Sequence, residues 1–290
     1  MNVSPRMRAT VEALLVTLLW SSSYVFTKIG LFDIPPLTLV GLRYLIASLI
    51  LLPIAINKGV HRTISGNAWW KLGLLGLLGY TVAQGLQCVG LYYLPSVSVT
   101  LILNFTPILV LLLNRVITGG VPSRDQIAGM ALVLLAASLF FSDQLIEYNI
   151  LGFAFTFISG IGWAGYMVAG KVLFKAIEIS ALGNTAFSMA MGTALLTSSA
   201  YIIEGVSLIP MSGWLVIIWL GVVNTALAFF LWNHALETLE AFELSVLQNT
   251  MLIQITVLSF LFLGETLHPV KYIYLALVFI GVYIVQSRRV

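Results

Sequence analysis

Charge is what this chain has least of. Asp, Glu, Lys and Arg make up 9% of its 290 residues, against roughly a quarter in a soluble domain. So few charges cannot give a folded chain a water-wetted skin, which excludes an ordinary soluble globular class. Cysteine is nearly absent as well. The single Cys88 can close no internal disulfide, and no metal-ligand cluster is at hand, so no metal is expected. His61, His234 and His268 are scattered, and none pairs with a Ser or Cys at a useful spacing. No catalytic residues are therefore expected, and the chain does not read as an enzyme. No Gly-rich loop ends in Gly-Lys-Ser/Thr, which argues against direct ATP coupling, and no cofactor is expected. The basic balance, with a pI near 9.0, does not point to nucleic acid, because Lys and Arg lie between apolar runs and not on one basic face.

What the chain does have is long apolar runs. Sixty per cent of its residues are hydrophobic, and the mean hydropathy is +1.02. A lipid bilayer is the partner such a surface requires. A bilayer core takes roughly 20 residues per helix. Ten spans fit, at 9–30, 36–57, 69–94, 96–118, 124–142, 149–172, 180–203, 212–238, 240–263 and 269–287. Pro35-Pro36, Pro95, Pro122, Pro210 and Pro269 punctuate the short connections, where helix-ending prolines belong. The first run is too long for a signal-peptide core and reads as a helix that stays.

Positive charge sets the orientation. With the N-terminus inside, eleven of the fourteen Lys and Arg residues fall on the cytoplasmic side. Lys28 and Lys271 fall outside, and Arg43 lies within a span. Both termini are accordingly expected in the cytoplasm.

The ten spans read as two copies of five. Trp20-Ser-Ser-Ser-Tyr24-Val-Phe-Thr-Lys28 recurs as Trp163-Ala-Gly-Tyr166-Met-Val-Ala-Gly-Lys171, with Trp-x7-Lys in both. At a nearly constant offset Gly76 falls on Gly221, Leu91 on Leu236, Asn104 on Asn249 and Gly119 on Gly264. A duplicated unit with an odd number of spans must insert in opposite orientations. The expected fold is therefore an all-α integral membrane bundle of ten transmembrane helices, arranged as two inverted five-helix repeats, 1–145 and 146–290.

These residues resemble a known family along essentially the whole chain, the EamA-type carriers of the drug/metabolite transporter superfamily. Trp20 to Gly30 is similar to the family's first-helix pattern, Arg43 with Ala47 to its second-helix Arg, and Pro107 to its fourth-helix Pro. Leu263-Gly264-Glu265-Thr-Leu267, followed by Gly281-Val282, is similar to its closing signature. The first copy departs from the pattern, with Gly119-Gly120 where Gly-Glu is common, and Pro107 falls on Leu252 in the second. The resemblance implies export or exchange of small organic metabolites across a bacterial or archaeal inner (plasma) membrane. Within the family the resemblance implies a carrier of neutral or aromatic amino acids. A multidrug or nucleoside-like exporter, with or without proton coupling, is the alternative. The chain is expected as a monomer or homodimer.

Polar and aromatic groups at membrane depth are the candidate substrate contacts, since each must find a partner or water. Trp20 with Tyr24, and Trp163 with Tyr166, share helix faces near the middle of equivalent spans. They can form a slot between the repeats or pack as core. Asn104, Gln248 and Asn249 lie in the fourth helix of each copy, where an amide can hold a zwitterion or glue helices together. Tyr80 and Gln84 share a face of the third helix with Gln87, and Asn224 and Trp232 occupy comparable positions in the eighth. Arg43 is expected to snorkel or to pair with Asp33 or loop carbonyls, as an anchor of its helix in preference to a carboxylate-binding site. Every Asp and Glu falls at or near a span end. That favours uniport or exchange over tight proton antiport, with Glu12, Glu243 and His234 as the remaining proton candidates.

Overall fold

A computed structural model of the chain describes residues 4–142, 149–177, 179–254, 257 and 268–287. All regular structure among them is helical. Helix α1 spans Pro5–Gly30 and α2 Pro36–Asn57. Helix α3 runs through Trp69–Gly76, Leu77–Gly85 and Leu86–Tyr93, and α4 through Ser96–Asn104 and Thr106–Thr118. Next come α5 (Arg124–Phe140), α6 (Ile150–Ile177) and α7 (Ala181–Glu204). Helix α8 runs through Met211–Gly221, Val222–Leu227 and Ala228–Thr238, then α9 begins as Ala241–Gln248 and α10 covers Pro269–Ser287. Among the described residues, eight helices are long and apolar enough to cross a membrane. The other two expected spans are the 17-residue α5 and α9, whose later part lies outside the described residues, as does the Gly264-Glu265 signature.

Local chemistry starts and stops these helices. Ser4 caps α1 by accepting from Met7 N, with Pro5 in the first turn, and Ser123 and Gln126 close a reciprocal capping box on α5. Gly119 ends α4 at φ 70°, the left-handed conformation that glycine takes without steric cost. Long apolar side chains such as Leu49, Leu112, Leu135 and Phe279 point outward, as lipid-facing surface should.

The two repeats pack symmetrically. Helices α2 and α7 cross each other, with Ser48 Oγ 3.1 Å from its counterpart Thr193 Oγ1. Helices α5 and α10 cross at Gly129 and Gly281, where a Cβ on either would lie 2.7 Å from the other's carbonyl oxygen. Helix α1 packs on α8 and α6 on α3. On α3, Gly76 meets the α7 backbone at Gly192 and Gly79 meets the Tyr166 ring. Small residues let these backbones approach, which is how membrane helices associate without a hydrophobic drive.

Contacts at the helix ends fix which termini lie together. Glu204, closing α7, accepts from Leu37 N (2.8 Å), Thr38 N (2.7 Å) and Thr38 Oγ1 (2.7 Å) at the start of α2. At the other end Arg6 pairs with Glu243 at 2.9 Å, and Glu237 accepts from Ala181 N at the start of α7. The repeated lysines mark these two ends. Lys28 Nζ donates to Leu91 O (2.5 Å) and Leu94 O (2.9 Å), the last carbonyls of α3. Lys171 Nζ donates to Leu236 O (2.9 Å), Glu237 O (3.1 Å) and Leu239 O (2.8 Å), the last carbonyls of α8. Each ammonium satisfies carbonyls with no intrahelical donor and faces the negative end of a helix dipole. Equivalent lysines cap equivalent helices at opposite ends, as inverted repeats require.

Candidate functional site

Backbone irregularity is concentrated at equivalent places. Leu77–Gly85 in α3 and Val222–Leu227 in α8 are both π-helical. Each follows a repeat-matched glycine, Gly76 or Gly221. π-Segments are rare and gather at functional sites. The α8 segment leaves Asn224 O able to accept from Trp20 Nε1 (3.2 Å) and Arg43 Nη2 (3.1 Å). Helices α4 and α9 break at Phe105 and at Asn249-Thr250. In each, a threonine turns back on a carbonyl three residues earlier, Thr106 on Leu103 O (2.5 Å) and Thr250 on Leu247 O (2.8 Å). Side chains that bond the backbone this way compete with the helix ladder. Pro107 adds to the break in α4, and α9 breaks without a proline.

Aromatic rings from both repeats meet between these segments. The Trp20 and Trp163 rings lie edge to face at 5.7 Å. Trp20 also packs on Phe229 (5.2 Å) and Trp232 (4.8 Å), and Trp163 stacks on Tyr166 (5.3 Å). Edge-to-face and offset contacts suit the ring quadrupole.

A cavity of about 50 Å³ lies on the Lys28 side of this layer. Trp20 and Trp163 form its floor, and Ser23, Tyr24, Arg43, Gln84, Gln87 and Gln248 supply much of its polar wall. Ordinary ligand pockets hold about 300 Å³ or more, so this conformation has room for water and not for a metabolite. Gln87 Nε2 donates to Tyr24 Oη at 2.9 Å, and Trp163 Nε1 to Gln248 Oε1 at 2.9 Å.

The Lys171 side of the layer is closed by a buried polar network. The Tyr80 and Tyr166 hydroxyls are 2.8 Å apart. Tyr166 Oη donates to Asn233 Oδ1 at 3.0 Å, and Asn184 Nδ2 reaches the same oxygen at 3.2 Å. All four residues are fully buried.

Of the residues singled out from the sequence, Trp20, Tyr24, Gln84, Trp163 and Gln248 line the cavity together. Tyr80 and Tyr166 sit in the closed network instead. Seven positions separate Tyr80 from Gln87, so the extra residue in each π turn carries Tyr80 off the face it would share with Gln87 at 3.6 residues per turn. Asn224 is fully buried, its Nδ2 bonded to Leu19 O (2.5 Å) and Ser22 Oγ (3.2 Å). Asn104 and Asn249 lie at the two helix breaks, and each buries its amide nitrogen without a hydrogen-bond partner. Ser23, Thr27, Thr106 and Ser159 line the cavity and went unread in the sequence; short hydroxyls in apolar helices carry no periodic signal. Among the described residues Arg43 pairs neither with Asp33 nor with loop carbonyls. It turns inward, with Nε on Thr225 Oγ1 (2.5 Å) and Nη2 on Asn224 O, because the opened π turn presents acceptors at its own depth. His234 Nδ1 lies 2.6 Å from Glu12 Oε2, far from the cavity at the Lys171 end.

A bundle of two inverted repeats, enclosing a part-polar cavity with a wall from each, is a multi-pass membrane transporter and not an enzyme. The chain belongs to the EamA-like transporter family, whose model matches residues 8–142 and 150–287. It is 25% identical over 294 residues to a protein of Escherichia coli (strain K12) named "Probable amino-acid metabolite efflux pump", covering 94% of this chain and 93% of that one. It is 26% identical over 238 residues to an uncharacterized transporter of Archaeoglobus fulgidus, covering 80% and 81%. A protein known from its crystal structure shares the fold with a TM-score of 0.79 at 19% identity, over 98% of this chain and all of that one.

Proposed function

We propose that the chain is an inner-membrane exporter of neutral or aromatic amino acids, working by alternating access as a uniporter or exchanger, with both termini cytoplasmic. The observation that carries this reading is the Trp20–Trp163 floor, where one ring from each repeat closes a cavity with a polar wall. Trp20, Tyr24, Gln84, Trp163 and Gln248 contact the cargo. Tyr80 and Tyr166 form the closure that opens when the repeats rock, and Asn224 steers Trp20 and Arg43. Asn104 and Asn249, at the helix breaks, gain amide partners as α4 and α9 straighten or bend. No carboxylate lines the cavity among the described residues, which supports uncoupled passage. Glu12 is instead paired with Arg8 and lies against His234 Nδ1, and Glu243 is paired with Arg6, at the Lys171 end.

The test is flux of labelled Phe, Met and Thr from proteoliposomes, with and without a pH gradient. Saturable flux indifferent to the gradient and lost in Trp20→Ala and Asn249→Ala is the expected result. Flux only with the gradient overturns the uncoupled mechanism and points to Glu12, Glu243 and His234. Nucleosides or drugs moving in place of amino acids overturns the cargo.

A further inference from the structure

Arg43 has half of its hydrogen-bonding fork spoken for and the rest at the cavity wall. Its side chain is 7% exposed. Nε and Nη2 each make one bond, to Thr225 Oγ1 and Asn224 O. A guanidinium carries five N–H donors, and Nη1 has no hydrogen bond among the described residues. No described carboxylate pairs with Arg43. Glu204, the carboxylate at that end of α7, is occupied by the three donors that open α2. The aromatic ring of Tyr44 lies 5.5 Å from the guanidinium carbon and spreads the charge without neutralising it. A second cation stands nearby, since Lys28 holds the carbonyl of Leu91, which itself lines the cavity.

A buried cation without a counter-ion is costly unless an anion completes the site. The wall offers that anion a planar, two-point donor, the geometry that matches a carboxylate. Nothing on the wall offers an ammonium group a negative partner: beside Arg43 its polar side chains are neutral, mainly carboxamides and hydroxyls, and no carboxylate is among them. The floor of indole rings suits an apolar or aromatic body.

We propose that Arg43 is the carboxylate-binding residue of the cavity. The site selects amphipathic monocarboxylates, and an α-ammonium group on the ligand is tolerated but not required. An aromatic 2-hydroxy acid or N-acylated amino acid would then be as good a ligand as the free amino acid. This rests on the Trp20–Trp163 cavity being the substrate site, and it fixes which functional group of the substrate is read.

The experiment is competition in proteoliposome counterflow on the unaltered protein. The probes are L-phenylalanine, its 2-hydroxy acid analogue, its amide and 2-phenylethylamine, with labelled phenylalanine and labelled hydroxy acid run as separate tracers. The two carboxylates should compete within a few-fold of each other. The amide and the amine should be about 10- to 100-fold weaker, the loss expected for a charge-assisted hydrogen bond. Arg43→Gln should erase that discrimination, and Arg43→Lys should keep part of it by retaining charge without the fork. A variant that fails to fold leaves the four-probe series on the unaltered protein to decide. Equal competition by the amide overturns the proposal while leaving amino-acid transport standing. Carriage of the hydroxy acid without carriage of phenylalanine overturns both amino-acid transport and the tolerance of an α-ammonium group, and leaves only the reading of the carboxylate by Arg43. Unchanged discrimination in a folded Arg43→Gln also overturns it, by returning Arg43 to a purely structural role.

Discussion

Helices α3 and α8 share a backbone plan and carry opposite chemistry. Both pass a matched glycine into a π-segment, and both end under a lysine ammonium. Continuing the same register, Gln84 falls on Phe229, Gln87 on Trp232 and Cys88 on Asn233. In the first repeat two carboxamides stand beside Arg43 and a cavity opens. In the second, two fully buried rings fill the matching space against Trp20. Inverted duplication thus produced two equivalent half-sites, and side chains decide which is hollow. The symmetry is kept where helices must cross and cap, and lost where a ligand would go. If the carrier alternates between two access states as proposed, they are not mirror images, because ring packing and amide solvation weigh on them differently.

The sharpest way to break this comparison is to write the second repeat onto the first. Gln84→Phe with Gln87→Trp fills the polar wall with rings. Flux of labelled substrate should fall to the liposome background, the largest effect expected. Two more buried aromatic side chains contribute about 1.5–3 kcal/mol each when they fit, and crowding offsets part of that. Thermal unfolding in detergent should therefore show a folded protein near its original stability. Normal flux in this double variant would mean that the hollow in α3 is not the route.

Next in size is the lysine pair, which separates the two ends. Lys171 is buried and holds the carbonyls of Leu236, Glu237 and Leu239, while Lys28 is half-buried and holds those of Leu91 and Leu94. Replacing either with Met orphans the last carbonyls of a helix. A buried group left unsatisfied costs about 1–3 kcal/mol, and water relieves the cost at the more open end. Lys171→Met should lower stability measurably more than Lys28→Met, read as unfolding midpoints of the two variants in one detergent. Equal losses would show that the two ends are equally wet.

Much of this plan was legible in the chain, and the reasons are specific. Span length follows from apolar runs, and the repeat from Trp20 and Trp163 with the lysines eight residues on. Those lysines then proved to hold equivalent carbonyls at opposite ends. Half of the named site residues meet at one cavity because aromatics and amides at membrane depth are few. Three features left no trace in sequence. π-Segments have no residue signature, and they carried Tyr80 off the face of Gln87. Arg43 found its partners on a helix 182 positions away, a pairing set by how the repeats dock. The helix break at Asn249 came without the proline that marks its counterpart, because a threonine hydroxyl does the same work on the backbone.

The smallest effect tests the closed side of the layer. Tyr166 Oη bonds both Tyr80 and Asn233, and Asn233 in turn receives Asn184. Tyr166→Phe keeps the ring stacked on Trp163 and removes only the hydroxyl at the centre of this network. Interhelical hydrogen bonds in membranes contribute about 1 kcal/mol, and a bias of that size changes a two-state population about fivefold. Under the proposed rocking the network breaks when the Lys171 end opens, so its loss should favour opening there. Thr185 is fully buried on α7, beside Asn184, and serves as the reporter position. With Thr185→Cys in a Cys88→Ser background, a water-soluble maleimide should label the Tyr166→Phe protein about fivefold faster than its parent. The same substitution should leave labelling of a cysteine at Ser23, on the cavity side, no faster than before. An equal rise at both positions would mean that the hydroxyl network stabilises the bundle as a whole, and the contrast between a hollow side and a latched side would lose its mechanism.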